Sequence, residues 1–228
     1  NHCRETAASL AGWFRSNGMP VEPDQLFTLQ TLKELGLLPA PMTTRLIEDG
    51  EHVSVGGFDL QVLLTPGHSP GHICLYDRLN HLLFCGDHIL AGITPNISLQ
   101  DDTGSNPLQD YLQSLDRIAG LEVCLALPGH GEPMSDIHEH LGRIRLHHQQ
   151  RSDEVMASLK GGPLNACQVA GRIRWFGREG AFVRLPLIHR RWALTETLAH
   201  LEYLRYQGSV SRSFVDGLYQ YSLLKDLT

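Results

Sequence analysis

The sequence predicts a mixed α/β domain followed by a smaller segment of helices that ends in a β-hairpin. Three observations predict it. Apolar residues alternate with polar ones in short runs between residues 53 and 85, the period of strands. Helical spacing then takes over, in a stretch after Asn106 and again for about 25 residues from Asp136. The balance of charge also changes sign along the chain: residues 1–150 carry 8 Lys and Arg against 18 Asp and Glu, and residues 151–228 carry 11 against 7. These shifts divide the chain into residues 1–145 and residues 146–228.

The 228 residues are 42% hydrophobic and 19% charged, with a net charge of −6, enough apolar content for a packed core. No apolar run reaches the roughly 18–20 residues that a bilayer requires. Asn1-His2-Cys3-Arg4-Glu5 is unlike a signal peptide. The cysteines Cys3, Cys74, Cys85, Cys124 and Cys167 form no CxxC pair and are odd in number, which predicts reduced thiols and a cytoplasmic protein.

Residues 6–17 read as a helix with Leu10, Trp13 and Phe14 on one face and Gly18 as its stop. Residues 24–36 are a second helical stretch, followed by a proline-broken loop over 37–41. Val53 and Val55, then Phe58, Leu60, Val62 and Leu64, alternate on either side of Gly56-Gly57, a hairpin signature. A second hairpin runs from Ile73 and Leu75 through a turn at 77–80 into the apolar run 82–85. Asn106-Pro107 is a helix start, a capping side chain followed by proline at the first helical position, and Gly120 ends that helix. Val123, Leu125 and Leu127 make a further strand. Asp136 and Glu139 have capping-box spacing ahead of the helix that bridges the two parts, in which His138, His140, His147 and His148 read as exposed. Short and long helices over 163–173 and 193–207, then a hairpin turning at Asp216-Gly217, give the order of a winged-helix module.

Three strands run straight into a metal-ligand residue beside glycine: Thr65-Pro66-Gly67-His68, Cys85-Gly86-Asp87 and Pro128-Gly129-His130. Strand ends are rigid, and glycine lets the chain bend so that an imidazole or carboxylate can enter a shared crevice. Histidine nitrogen and carboxylate oxygen are ligands that zinc accepts at about 2.0–2.2 Å. Singly, each is an ordinary turn; jointly, they predict a metal centre.

The motif Thr65-Pro66-Gly67-His68-Ser69-Pro70-Gly71-His72, with Gly86-Asp87 and Pro128-Gly129-His130-Gly131 after it, resembles the metallo-β-lactamase superfamily. The resemblance implies an αββα sandwich holding one or two metal ions, with zinc expected and iron or manganese as alternatives. It implies His68 as a ligand of the first ion, Asp87 as the bridging and catalytic carboxylate and His130 as a ligand of the second. His72 and His88 are implied as supports in the outer shell. The tail around Ala193-Leu194-Thr195-Glu196-Thr197-Leu198-Ala199-His200 is similar to the winged-helix tail of the beta-lactamase-like-protein-2 branch, and His200 is expected to pack rather than ligate. The family's HxHxDH motif is absent. Ala11-Gly12-Trp13 makes His2 the candidate for that motif's last histidine, with Asn1 where the aspartate should stand. The chain is then either a fragment lacking its front or a protein with a degenerate centre.

The expected activity is hydrolysis of an ester, thioester, lactone or related bond in a small molecule by a metal-bound hydroxide. The rivals are a nuclease of the same fold acting on RNA or single-stranded DNA, with Arg172, Arg174, Arg178, Arg190 and Arg191 on the tail, and a metal-free, non-catalytic binding protein. Residues 90–98 are expected to line the pocket, and the tail to cover its mouth or form a homodimer contact.

Overall fold

A computed structural model describes residues 2–22, 45–99, 105–175 and 181–224, with the backbone alone for residues 2–7. The expected helix over 24–36, the loop after it, and the side chains of Asn1, His2 and Cys3 lie outside the described residues. The N-terminal helix α1 (His2–Ser16) begins earlier than its apolar face suggests and stops where Gly18 takes a φ of 86°.

One five-stranded sheet forms from β1 (His52–Val55), β2 (Phe58–Leu64), β3 (Ile73–Asp77), β4 (Leu82–Gly86) and β5 (Leu125–Pro128), in that spatial order. The β1–β2 turn is Gly56-Gly57, with φ of 57° and 88°, the left-handed pair that a two-residue hairpin needs. The β3–β4 turn is held by Asp77, whose carboxylate accepts from the N–H of Leu79 at 3.0 Å and of Asn80 at 3.2 Å. These pairings are antiparallel; β4 and β5 are parallel. Parallel neighbours need a crossover, and α2 (Pro107–Ala119) supplies it. Its cap is as the sequence predicts, with the Asn106 side chain accepting from the Gln109 N–H.

The face of α2 that meets the core carries Leu108, Tyr111, Leu115 and Ile118, all fully buried. Each such side chain contributes about 1.5–3 kcal/mol relative to exposure. The same helix pins the turn after β2. The Ser114 hydroxyl donates to the Pro66 carbonyl at 2.9 Å. Gly67 sits so close to the helix that an added Cβ would lie 2.4 Å from Tyr111 Cβ, and its φ of 139° is strained for any other residue.

The bridging helix α3 (Ile137–Ser158) buries Ile137, Leu141, Ile144, His148, Arg151, Ser152 and Val155. The expectation of four exposed histidines is corrected at His148. Successive steps of four and three residues carry the buried stripe from Ile137 to Val155, and His148 falls on it. Residues 145 and 146, where the sequence divides the chain, are both inside α3. After it come α4 (Ala166–Arg172), α5 (Leu187–Tyr206) and the hairpin of β6 (Val210–Val215) with β7 (Leu218–Leu223). The turn between the last two, Asp216-Gly217, has both φ values positive, at 49° and 81°. Among the described residues, β6–β7 is the only sheet besides the five-stranded one. Cys74, Cys85, Cys124 and Cys167 carry free thiols. No described helix is long and apolar enough to cross a membrane.

The seam between α3 and α5 is polar at its centre. His148 Nδ1 lies 3.3 Å from His200 Nε2, and His200 Nδ1 lies 3.0 Å from the Ser152 hydroxyl. Burial, then neighbouring His147, pushes the His148 pKa down to about 3; burial, then His148, holds His200 well below its ordinary value. A base whose pKa is depressed on folding is neutral in the fold and charged in the unfolded chain between the two values. The stability it contributes is complete above about pH 6.5 and is lost as pH falls from there toward the folded value.

Two outcomes follow for this fold. The urea midpoint should fall steadily between pH 6.5 and pH 4, and more steeply than in a H148L/H200L double variant; equal slopes would remove the pair from the account. Gly67→Ala should lower stability by about 2–3 kcal/mol through overpacking and backbone strain, and an unchanged midpoint would contradict the close approach to α2.

Candidate functional site

Parallel strands end on the same side of a sheet, so β4 and β5 deliver Asp87 and His130 to one place. The Gly129 N–H donates to the Gly86 carbonyl at 2.7 Å. A Cβ on Gly129 would stand 2.8 Å from Asp87 Oδ1, and one on Gly86, whose φ is 49°, would stand 2.8 Å from His72 Nε2. Space disfavours a side chain at both glycines, and at Gly86 the positive φ does so as well. His68, carried on the turn after β2, reaches the same carboxylate from the other side.

His130 Nε2 lies 3.5 Å from Asp87 Oδ1, and His68 Nε2 lies 4.0 Å from Asp87 Oδ2. The three loop tips that the sequence singled out thus meet, and each imidazole faces a different carboxylate oxygen. Two ligand atoms about 2.0–2.2 Å from a tetrahedral ion stand about 3.3–3.6 Å apart. The His130–Asp87 edge falls in that range, and the His68–Asp87 edge is slightly longer. Asp87 Oδ1 is buried and accepts no hydrogen bond from the described residues. The His130–Asp87 edge is thus compatible with two ligands of one ion, while His68 stands farther from the carboxylate. The set does not complete a coordination sphere: among the described residues, no group of three or more His, Cys, Asp or Glu side chains could hold an ion.

The imidazole of His68 is oriented. Its Nδ1 lies 3.0 Å from the Asn96 carbonyl, which can only accept, so Nδ1 carries a proton and Nε2 is turned toward Asp87. His72 lies behind the turn, with Nδ1 at 2.8 Å from the Thr65 hydroxyl. Burial, followed by the proximity of His68, lowers its pKa. His88 is fully buried, its ring centre 5.6 Å from that of His72 and 4.9 Å from that of Tyr111. Neither of its ring nitrogens has a hydrogen-bond partner among the described residues, and burial brings its pKa down to about 3.

These residues open into a cleft of about 790 Å³. One wall is the loop that follows Asp87, including Leu90, Ile93 and Asn96, as the sequence predicts for residues 90–98. The opposite wall falls largely in the tail expected to cover the mouth, though the sequence did not name the residues that line it. It comes from α3, through Arg143 and His147, and from α5, through Trp192 and Glu196. Trp192 and His189 stand one helical turn apart with ring centres 5.2 Å from each other, a spacing visible in the sequence but mute there about where it faces. Arg151 and Glu196, the charged pair at the back of this wall, are 3.6 Å apart with side chains only 10% and 13% exposed. His200 packs in the α3–α5 seam and takes no part in the cleft.

The family described as the metallo-beta-lactamase superfamily matches residues 21–130. The crystal structure of a metallo-beta-lactamase family protein from Thermus thermophilus superposes over 97% of this chain and 67% of its own, with a TM-score of 0.77 and 34% identity. A beta-lactamase-like protein 2 homolog of Caenorhabditis elegans is 32% identical over 114 residues, 50% of this chain and 36% of the relative. An atrochrysone carboxyl ACP thioesterase of Aspergillus fumigatus is 31% identical over 114 residues, 50% of this chain and 34% of the relative. The chain spans about a third of the length of those two curated relatives. With three strand-end motifs gathered at one carboxylate and a solved family member superposing on 97% of this chain at 34% identity, the chain belongs to the metallo-β-lactamase superfamily.

Proposed function

We propose that this protein is a metal-dependent hydrolase of a small molecule, cleaving an ester, thioester, lactone or related bond, with zinc as the expected ion and iron or manganese as alternatives. The observation that carries the reading is the placing of His68 Nε2 and His130 Nε2 against separate oxygens of Asp87, at 4.0 and 3.5 Å. His68, Asp87 and His130 would hold the metal, with the remaining ligands contributed by other parts of the chain or protein. A divalent ion bound there polarises the scissile group and makes water acidic enough to attack near neutral pH.

The chain's own residues do the rest. Asp87 offers one oxygen to each side of the site. His130, 76% exposed, stands at the open face, where a substrate arrives. Leu90, Ile93 and Trp192 give the cleft apolar surface for an acyl or aromatic portion and displace water from the reacting bond. The cleft's volume is that of a small-molecule site. The thioesterase name of the fungal relative belongs to that protein, and it lends weight to a thioester among the candidate bonds.

α4, α5 and the β6–β7 hairpin are read as a winged-helix-like module whose role is to wall the cleft. Support comes from α5, which contributes His189, Trp192, Ala193 and Glu196 to that wall. The nuclease reading draws on the tail arginines, of which Arg178 lies outside the described residues. Arg172 donates to the Ser158 carbonyl at 3.0 Å and Arg174 pairs with Glu154 at 2.9 Å, which favours the small-molecule reading.

Metal analysis and a panel of ester and thioester probes test the proposal. The purified protein should retain a divalent ion, lose hydrolysis on chelation and regain it with zinc. Asp87→Ala should lower kcat/KM by more than about 100-fold, beyond what loss of a supporting residue costs. Unchanged hydrolysis after complete removal of metal would overturn the assignment.

A further inference from the structure

We propose that Glu196 is a positioning residue for His68, acting through Asn96. An imidazole in the N-terminal part is thereby set by a helix far along the chain, through a contact between residues 100 apart, and the metal-affinity consequence rests on the reading of His68 as a ligand.

The Asn96 carbonyl accepts from His68 Nδ1 at 3.0 Å. A carbonyl can fix a tautomer only if the carbonyl itself is fixed. Residues 90–99 have no helix or strand to hold them, so tertiary bonds must do it. Ile97 and Leu99 anchor the far end of the segment in the core. Asn96 itself is held by its side chain. Its Nδ2 donates to Glu196 Oε2 at 3.0 Å, and its Oδ1 accepts from the Ser98 hydroxyl. Ser98 in turn accepts from the Thr195 hydroxyl at 2.9 Å, and the Leu99 N–H donates to the Thr195 carbonyl at 3.0 Å. Two consecutive residues of α5 therefore grip the loop at three points.

Glu196 is suited to be the fixed end. A carboxylate taken out of water is costly unless it is paired and hydrogen-bonded. Here Arg151 stands 3.6 Å away, itself held by Glu154, by the Arg174 carbonyl and by the Trp175 ring at 4.4 Å. Burial raises the pKa of Glu196, while Arg151 and the Asn96 amide oppose that shift. The path from α3 thus runs through an ion pair from Arg151 to Glu196 and hydrogen bonds from Glu196 through Asn96 to His68. Partners that orient a metal-binding histidine typically matter by 10–100-fold in metal affinity.

The test reads the imidazole directly. Nitrogen-15 NMR of histidine-labelled protein should show His68 in the wild type with its Nδ1 proton held on the Asn96 carbonyl. Glu196→Ala should shift it to a mixture of tautomers and weaken zinc binding, measured by chelator competition, by about 10–100-fold. Glu196→Gln retains an acceptor for the Asn96 amide and should preserve the tautomer, with affinity within about threefold of wild type. Asn96→Ala, which keeps the carbonyl but frees it, should reproduce the Glu196→Ala result and serves if that variant fails to fold. Thr197→Ala, on the same helix but bonded only to the Ala193 carbonyl at 2.8 Å, is the control for general destabilisation. The proposal is overturned if the alanine variants keep the wild-type tautomer, or if Thr197→Ala alters it equally. A wild-type protein that binds no metal, yet loses the tautomer in Glu196→Ala, refutes the metal reading and upholds the positioning role.

Discussion

The carbonyl of Gly86 accepts the Gly129 N–H at 2.7 Å, and this bond brings the ends of two parallel strands close enough for their next residues to share a task. A side chain at either position would collide, with Asp87 in one case and with His72 in the other. Parallel pairing is what makes the approach possible. An antiparallel β5 would carry its proline-glycine-histidine end to the opposite edge, and Asp87 would be left with His68 but without His130. The crossover through α2 follows from the same requirement, and α2 then presses Tyr111 against Gly67 to fix the third tip.

Around that rigid centre the molecule places a wall of a different kind. α3 and α5 reach the cleft with tryptophan, histidine, arginine and glutamate, and they meet one another through His148, His200 and Ser152 rather than through an apolar seam. Buried polar contacts of this sort favour one arrangement, because a slipped register would break both the His148–His200 and the His200–Ser152 contacts. The same seam carries Arg151, so the packing of the two helices and the placing of Glu196 are one problem with one solution.

How much of this was legible in the sequence depended on the range of the signal. Strands, hairpins and helix caps are local statements: Gly56-Gly57, Asp216-Gly217 and Asn106-Pro107 were read correctly because a turn or cap is decided by its own few residues. His68, Asp87 and His130 were legible because each ends an apolar strand beside glycine, and their resemblance to a family motif placed them together. His148 was misread because the buried stripe of α3 is spelled partly in polar letters, so its spacing of four and three was present without the expected hydrophobicity. The link from Asn96 to Glu196 had no local mark at all, since its partners are 100 residues apart and each is an ordinary polar residue.

The contrast between the glycine-crowded strand ends and the side chains of the cleft wall has a consequence for how such a protein can change. At Gly86 and Gly129 the space is already filled, so almost any replacement disturbs the chemistry itself. At Ile93, Trp192 or Arg143 a replacement reshapes only what the cleft admits. New preferences can therefore arise by altering one partition while the reactive apparatus stands still, and the diversity of molecules acted upon can grow without the reaction being reinvented.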